Sequence, residues 1–211
     1  MRNRRYRCNP NNLVFHVTNR TVSGLSFVAK TFMSKLIAGI MAKSQERNPV
    51  QISHFVWMSN HYHMILAGRA KHISDFIRQM QSEVAKMVKR LTPQYEGKVW
   101  ESQFHEQRLC TPEDVLEKIN YIYSNPVKAG LVPHISEWTG LNSFNMYKSG
   151  SLSLDARWTP SQYLVALVLG QPLFKCLNLL DVPEVSTRSE QPTASFPVNL
   201  LFLIPAILLA C

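Results

Sequence analysis

Cysteine is sparse and unpaired: Cys8, Cys110, Cys176 and Cys211 lie far apart in the 211 residues, and no two form a CxxC. That spacing argues against a disulfide framework or a cysteine zinc site, and it fits a reducing compartment, the cytoplasm. No apolar stretch follows the basic start "MRNRRYRCNPNN", so a secretory leader is not expected. The apolar run "VNLLFLIPAILLAC" has 14 residues and contains Pro205, short of the roughly 20 that span a bilayer, so no membrane partner is expected. No GxxxxGK followed by Ser or Thr occurs, which argues against an attached nucleotide-driven motor. Acidic residues are also scarce where the chain is most regular. Residues 1–150 carry 20 basic and 10 acidic side chains, and residues 151–211 carry 3 and 4. An excess of positive charge confined to the patterned part points to an anionic partner such as nucleic acid.

The regular part reads as β-α-β-β-α-β-α. "LVFHVTNRT" (13–21) alternates, with Leu13, Phe15 and Val17 on one side and Val14, His16 and Thr18 on the other, as a strand does. A helix is expected over 25–46, with Phe32, Leu36 and Ile40 on its apolar side. Two β-rich runs, 50–58 and 61–67, flank Ser59-Asn60, and an asparagine able to adopt the left-handed conformation suits a two-residue hairpin turn. Ile73, Phe76, Ile77, Met80, Val84, Met87, Val88 and Leu91 recur at three- and four-residue steps, the pattern of an amphipathic helix. A strand is expected over 99–109. The helix that follows has Thr111 as N-cap, Pro112 in the first turn, and Pro126 to end it at Asn125. This order is that of a ferredoxin-like α+β fold, an antiparallel sheet with helices packed on one face and the other face open to a ligand. The expected division is a domain over 1–148 and an extension over 149–211 without clear periodicity.

Inside the apolar run "HFVWMSNHYHMIL" stand His61 and His63. Residues two apart on a strand share a face, so the imidazoles are neighbours while Tyr62 points the other way. Such a pair suits two positions of a divalent cation, and equally suits two half-exposed residues on an open sheet face. The last helix adds a second oddity. With Ile119 as the centre of its apolar side and 100° per residue, Val115, Leu116, Ile122 and Tyr123 fall within about 60°. Tyr121 falls about 160° away, with Glu117 and Asn125 one turn before and after it. Tyr123 therefore reads as a core residue, and Tyr121 as an aromatic without a packing reason.

The ordered set "FHVTNRT", "HFVWMSNHYHMIL", "KVWESQFHEQRL" and "INYIYSNPVKAGLV" resembles the single-tyrosine HUH transposases, and within them the REP-associated tyrosine transposases with an IS200-like domain. The resemblance covers about residues 6–145. It implies the HUH endonuclease fold, with His61 and His63 as metal ligands, Asn125 completing the set, and Glu117 as a weaker substitute. It also implies Mg²⁺ or Mn²⁺ as cofactor and Tyr121 as the nucleophile that cleaves and rejoins single-stranded, hairpin-bearing DNA through a 5′-phosphotyrosine. Arg4, Arg5, Arg7, Arg20 and His16 are the expected DNA contacts, Arg2 is a further candidate, and Tyr6 is a candidate for base stacking. A monomer is the expected state. Two other readings share much of this pattern. One is an HUH replication initiator or relaxase, which the compact size and "YIYSNPVKAGLV" disfavour. The other is a DNA- or RNA-hairpin-binding protein of the same fold without chemistry.

Overall fold

The computed structural model describes residues 13–22, 25, 31–92, 95–149, 155–156 and 177–178. Strand β1 (Leu13–Arg20) is followed by helix α1 (Thr31–Arg47), the hairpin β2 (Gln51–Trp57) and β3 (His61–Gly68), helix α2 (Ala70–Leu91), strand β4 (His105–Leu109) and helix α3 (Pro112–Lys128). A 3₁₀ turn (Ile135–Glu137) and the short helix α4 (Phe144–Ser149) come next. The two-residue strands β5 (Asp155–Ala156) and β6 (Leu177–Asn178) pair antiparallel. Otherwise the extension over 149–211, with its apolar end, lies outside the described residues. No helix among the described residues is long and apolar enough to cross a membrane.

The four long strands form one antiparallel sheet in the order β2-β3-β1-β4, the ferredoxin-like arrangement expected of an α+β chain. Period-two alternation divides the apolar residues into two layers. Phe15, Val17, Tyr62, Met64 and Leu66 join α1 and α2 through Leu36, Ile40, Ile73, Phe76 and Met80. All the positions read as the apolar stripe of α2 are buried except Leu91 at its end.

The opposite face is only partly open. Val14, Val56, Ile65, Ala67 and Leu109 are covered by Val115, Ile122 and Tyr123 of α3 and by Ile135 and Trp138. The buried side of α3 is centred nearer Ile122 than Ile119, because Leu116 is exposed and Ile119 only partly buried.

Three local expectations need correction. The β2–β3 turn closes through Met58 N–H to His61 O at 2.8 Å, yet among the described residues only glycines have a positive φ. Asn60 therefore does not supply a left-handed residue; its Oδ1 instead bonds the His61 ring at 2.7 Å. The expected strand 99–109 is interrupted. Trp100 bridges Thr21, Asn19 Nδ2 donates to Ser102 O at 3.2 Å, and regular pairing starts only at His105.

Helix α3 also runs past Asn125, with Pro126 inside it. Proline has no N–H for the carbonyl four residues back, here Ile122, and the Asn125 side chain compensates. Its Nδ2 donates to Ile122 O at 3.4 Å and to Tyr121 O at 2.7 Å. The helix then ends on Gly130 at φ 66°. Leu131 N–H bonds Pro126 O at 3.0 Å and Gly130 N–H bonds Val127 O at 2.9 Å, the two bonds of a Schellman motif. At its start, Thr111 and Asp114 form a capping box, worth about 1 kcal/mol.

A bulge between Ile52 and His54 turns two residues that would share a face to opposite sides. Ile52 joins the α1–α2 layer. His54 is buried toward α3, its Nδ1 2.7 Å from Tyr123 Oη, which lies 2.9 Å from Ser143 Oγ. Burial lowers the His54 pKa from 6.5 to about 4. The folded chain holds this ring neutral while the unfolded chain protonates it, so stability is full above about 6.5 and drains as pH falls toward 4. That single shift is worth on the order of 3 kcal/mol, and burial gives His16, His61 and His63 the same sign.

Thermal unfolding between pH 7 and 4.5 is expected to show a falling midpoint, with a shallower fall in His54→Gln; equal slopes would remove His54 from the explanation. Gly130→Ala is expected to cost about 1 kcal/mol in a denaturant titration, from the left-handed backbone, because open space surrounds that Cα.

Candidate functional site

The half of the α3 face of the sheet that α3 itself leaves uncovered carries the site. Strand register sets it out. His61 lies opposite Arg20, His63 opposite Thr18, and Thr18 opposite His105, so these side chains share one face. His16 is one diagonal step from His63, and their rings stack at 5.2 Å between centroids.

Tyr121 comes to this face from α3. Its ring centroid is 5.4 Å from that of His63 and 6.1 Å from that of His16, edge-on to both. It is 41% exposed, whereas Tyr123 is 9% exposed and bonded into the core. One chain thus brings together the histidine pair and the off-core tyrosine singled out in the sequence, about sixty residues apart. The α3 backbone that carries Tyr121 is held by the capping box before it and by the Asn125 and Gly130 devices after it.

The histidines are held in a definite way. The ring nitrogen Nδ1 of His61 bonds Asn60 Oδ1 at 2.7 Å, and Nδ1 of His63 lies 3.1 Å from Nε2 of His16. Asn60 Oδ1 can only accept, so His61 carries its proton on Nδ1 and has a lone pair on Nε2. If His63 is the donor to His16, it matches this arrangement. Desolvation lowers the His63 pKa to about 3, with the neighbouring imidazoles, Lys118 and Arg20 adding to it. Burial, then Lys118 and His105, lowers His16 to about 4. Burial and Arg20 lower His61. All three imidazoles are therefore neutral at pH 7, the form that can ligate a metal.

The donor chemistry of His61 and His63 fits two positions of a divalent cation, with outer hydrogen bonds of the kind that orient ligating imidazoles. Further donors are needed, and among the described residues no group of three His, Cys, Asp or Glu side chains is arranged to hold an ion. Of Asn125, only Oδ1 remains for such a role, because Nδ2 is bonded to the helix backbone. Glu117 is exposed.

Among the residues expected to contact DNA, Arg20 is exposed and beside His61. His16 is 5% exposed and bonded to His63, so it can orient His63 and offers little surface to a phosphate. Arg2, Arg4, Arg5, Tyr6 and Arg7 lie outside the described residues. Sequence reasoning missed Lys118 and Lys128, whose Nζ atoms lie 5.2 and 5.6 Å from the Tyr121 ring centroid. Their spacing from Tyr121, three and seven residues, was the available signal.

Comparison with known proteins bears on the fold and the family. A REP-associated tyrosine transposase bound to a REP hairpin has a solved structure that matches 75% of this chain and 91% of its own, at 21% identity and a TM-score of 0.52. That likeness is one of fold. A structure of a protein assigned as a transposase, from Deinococcus radiodurans, matches 58% of this chain and 95% of its own at 16% identity and a TM-score of 0.40. In sequence, a Haemophilus influenzae protein assigned as a REP-associated tyrosine transposase is 31% identical over 65 residues, which are 31% of this chain. The match spans 37% of that relative's length. Residues 10–119 match the family described as transposase IS200 like. That span includes the histidine pair and stops two residues before Tyr121. It is just over half of the 211 residues, and the chain belongs to the IS200-like transposase family.

Proposed function

We propose that this chain is a single-tyrosine HUH transposase that cleaves and rejoins single-stranded DNA through a phosphotyrosine, with Tyr121 as the nucleophile. The observation that carries the reading is the placement of Tyr121, an exposed phenol edge-on to His63 at 5.4 Å within one chain. The hairpin in the solved relative's complex motivates hairpin-bearing DNA as the substrate here. Site residues from a single chain favour action as a monomer.

In the proposed reaction the Tyr121 oxygen attacks phosphorus, and the new O–P bond replaces the bond to the 3′ oxygen. The phenolic proton passes to solvent, and the 3′ oxygen leaves as a hydroxyl after taking up a proton. A 3′-hydroxyl from another end reverses the exchange, which conserves phosphodiester bonds and needs no nucleotide. His61 and His63, with Asn125 Oδ1, are the proposed holders of Mg²⁺ or Mn²⁺, which when bound would supply Lewis-acid polarisation of the scissile phosphate. Imidazole donors suit Mn²⁺ better than Mg²⁺. His16 positions His63, and exposed Arg20 meets backbone phosphate, as do Arg4, Arg5 and Arg7 in the proposed complex.

Incubation of the protein with labelled single strands and Mn²⁺ is expected to give a denaturant-resistant adduct. Tyr121→Phe is expected to abolish it while DNA affinity stays within about threefold, less than ~1 kcal/mol. Tyr123→Phe, a core change, is expected to keep forming it. An adduct in the first variant and none in the second would reverse the assignment of the two tyrosines. Paired His61→Ala and His63→Ala substitutions are expected to remove Mn²⁺-dependent cleavage while the folded state survives; global unfolding would point to a structural role for the pair.

His16→Ala is expected to weaken Mn²⁺ binding about 10- to 100-fold, the usual cost of losing a residue that orients a ligating histidine. Calorimetric titration of the metal measures this directly, and unchanged affinity would remove His16 from the positioning role.

A further inference from the structure

Tyr121 shares its stripe of α3 with two lysines and an amide. At 100° per residue, Lys118, Asn125 and Lys128 all lie within about 60° of Tyr121 around the helix. Both ammonium groups reach the same ring, at 5.2 and 5.6 Å from its centroid. The charge of Lys118 also acts on His16 and His63. Among the described residues, the ion pairs within 4.0 Å are Arg78–Asp75 and Lys86–Glu83. Neither lysine of the stripe is in one of them. Asp114, one turn before Lys118, uses its carboxylate on the backbone N–H groups of Cys110 and Thr111.

Two lysines from different turns thus converge on one exposed phenol. An exposed cation over an aromatic ring gains only about 0.5–1 kcal/mol, so an anion arriving at the phenol can draw these ammonium groups away at small cost. A flexible four-carbon stem allows that movement.

We propose that Lys118 and Lys128 form a two-point clamp for the phosphodiester backbone of single-stranded DNA, holding the strand across Tyr121 on both sides of the phosphate that meets the phenol. The proposal rests on the reading of this face as a DNA-processing site, and it adds the ligand contacts that hold the strand there. The clamp lies on the helix that bears the nucleophile, so any shift of α3 carries phenol and phosphate together. The same positive charges offset the negative charge that develops on the phosphoryl oxygens during transfer.

The test is a salt titration. Full-length Tyr121→Phe protein is titrated into fluorescein-labelled oligothymidylate without metal, over a range of KCl concentrations, with binding followed by anisotropy. Each neutralised phosphate contact on a single strand contributes about 0.7 to the slope of log K against log salt. Lys118→Gln and Lys128→Gln are each expected to lower the slope by about that amount, and the double variant by about twice it. Lys86→Gln, on α2, is the control and is expected to leave the slope unchanged. Circular dichroism melts verify that each variant is folded. An unchanged slope in the double variant overturns the clamp, and so does an equal drop in the Lys86→Gln control, which would mark a general charge effect. Failure of the catalytic reading looks different: no adduct from the parent protein with its Tyr121 intact, while the stripe variants still lower the slope. Adduct formation together with an unchanged slope would remove the clamp alone.

Discussion

The ring of Tyr62 is fully buried between Trp57 and Trp100, with centroids 4.8 and 5.7 Å away, and its hydroxyl accepts a hydrogen bond from Gln81 Nε2 at 2.6 Å. Because strand side chains alternate, this anchor directs His61 and His63 to the other face. A slip of one residue in β3 would bury two imidazoles among α1 and α2 and expose the largest fully buried side chain of the core. The apolar energy of the α1–α2 layer therefore sets the direction of two polar residues on the far side of the sheet. The rest of the site is built on that alignment.

The second requirement is a tyrosine delivered from above. Helix α3 covers only the half of the sheet where Val14, Ile65, Ala67 and Leu109 need it, and leaves the histidine half accessible. The segment "YIYSNPVKAGLV" makes sense in these terms. Ile122 and Tyr123 dock the helix, Asn125 supplies the N–H that Pro126 lacks, and Gly130 ends the helix with a left-handed turn. Tyr121 comes just before the docking residues, one turn ahead of the repair. Electrostatics divide the site in a similar way: the sheet contributes neutral imidazoles, and the helix contributes cationic lysines beside the phenol.

Much of this was legible from periodicity. The alternation in β1, the stripe in α2, the off-core position of Tyr121 and the cap at Thr111 each follow from local residue spacing. Long-range geometry was not. The bulge at Ser53 that turns His54 toward Tyr123 has no signature in "VQISHFVW". The bond between His16 and His63 depends on strand order, which places β1 beside β3 across 47 residues. Pro126 misled the reading of the helix end because its usual effect was cancelled by the side chain just before it. Lys118 and Lys128 were hidden among other charges until the fold showed which ring they share. The basic N-terminal cluster, a clear feature of the composition, belongs to residues that the structure does not describe.

The central claim is that the histidines and the tyrosine of one chain act on one phosphate. Mixing tests it most directly. Tyr121→Phe protein, with its histidine pair intact, is combined with a His61→Ala, His63→Ala protein whose tyrosine is intact, in the presence of labelled single-stranded DNA and Mn²⁺. With the unsubstituted chain forming the covalent adduct in parallel, the account predicts none from the mixture, because neither chain holds both halves of the site. Adduct formed by the mixture, on the tyrosine-bearing chain, would show that the site is completed between subunits and would contradict the single-chain arrangement.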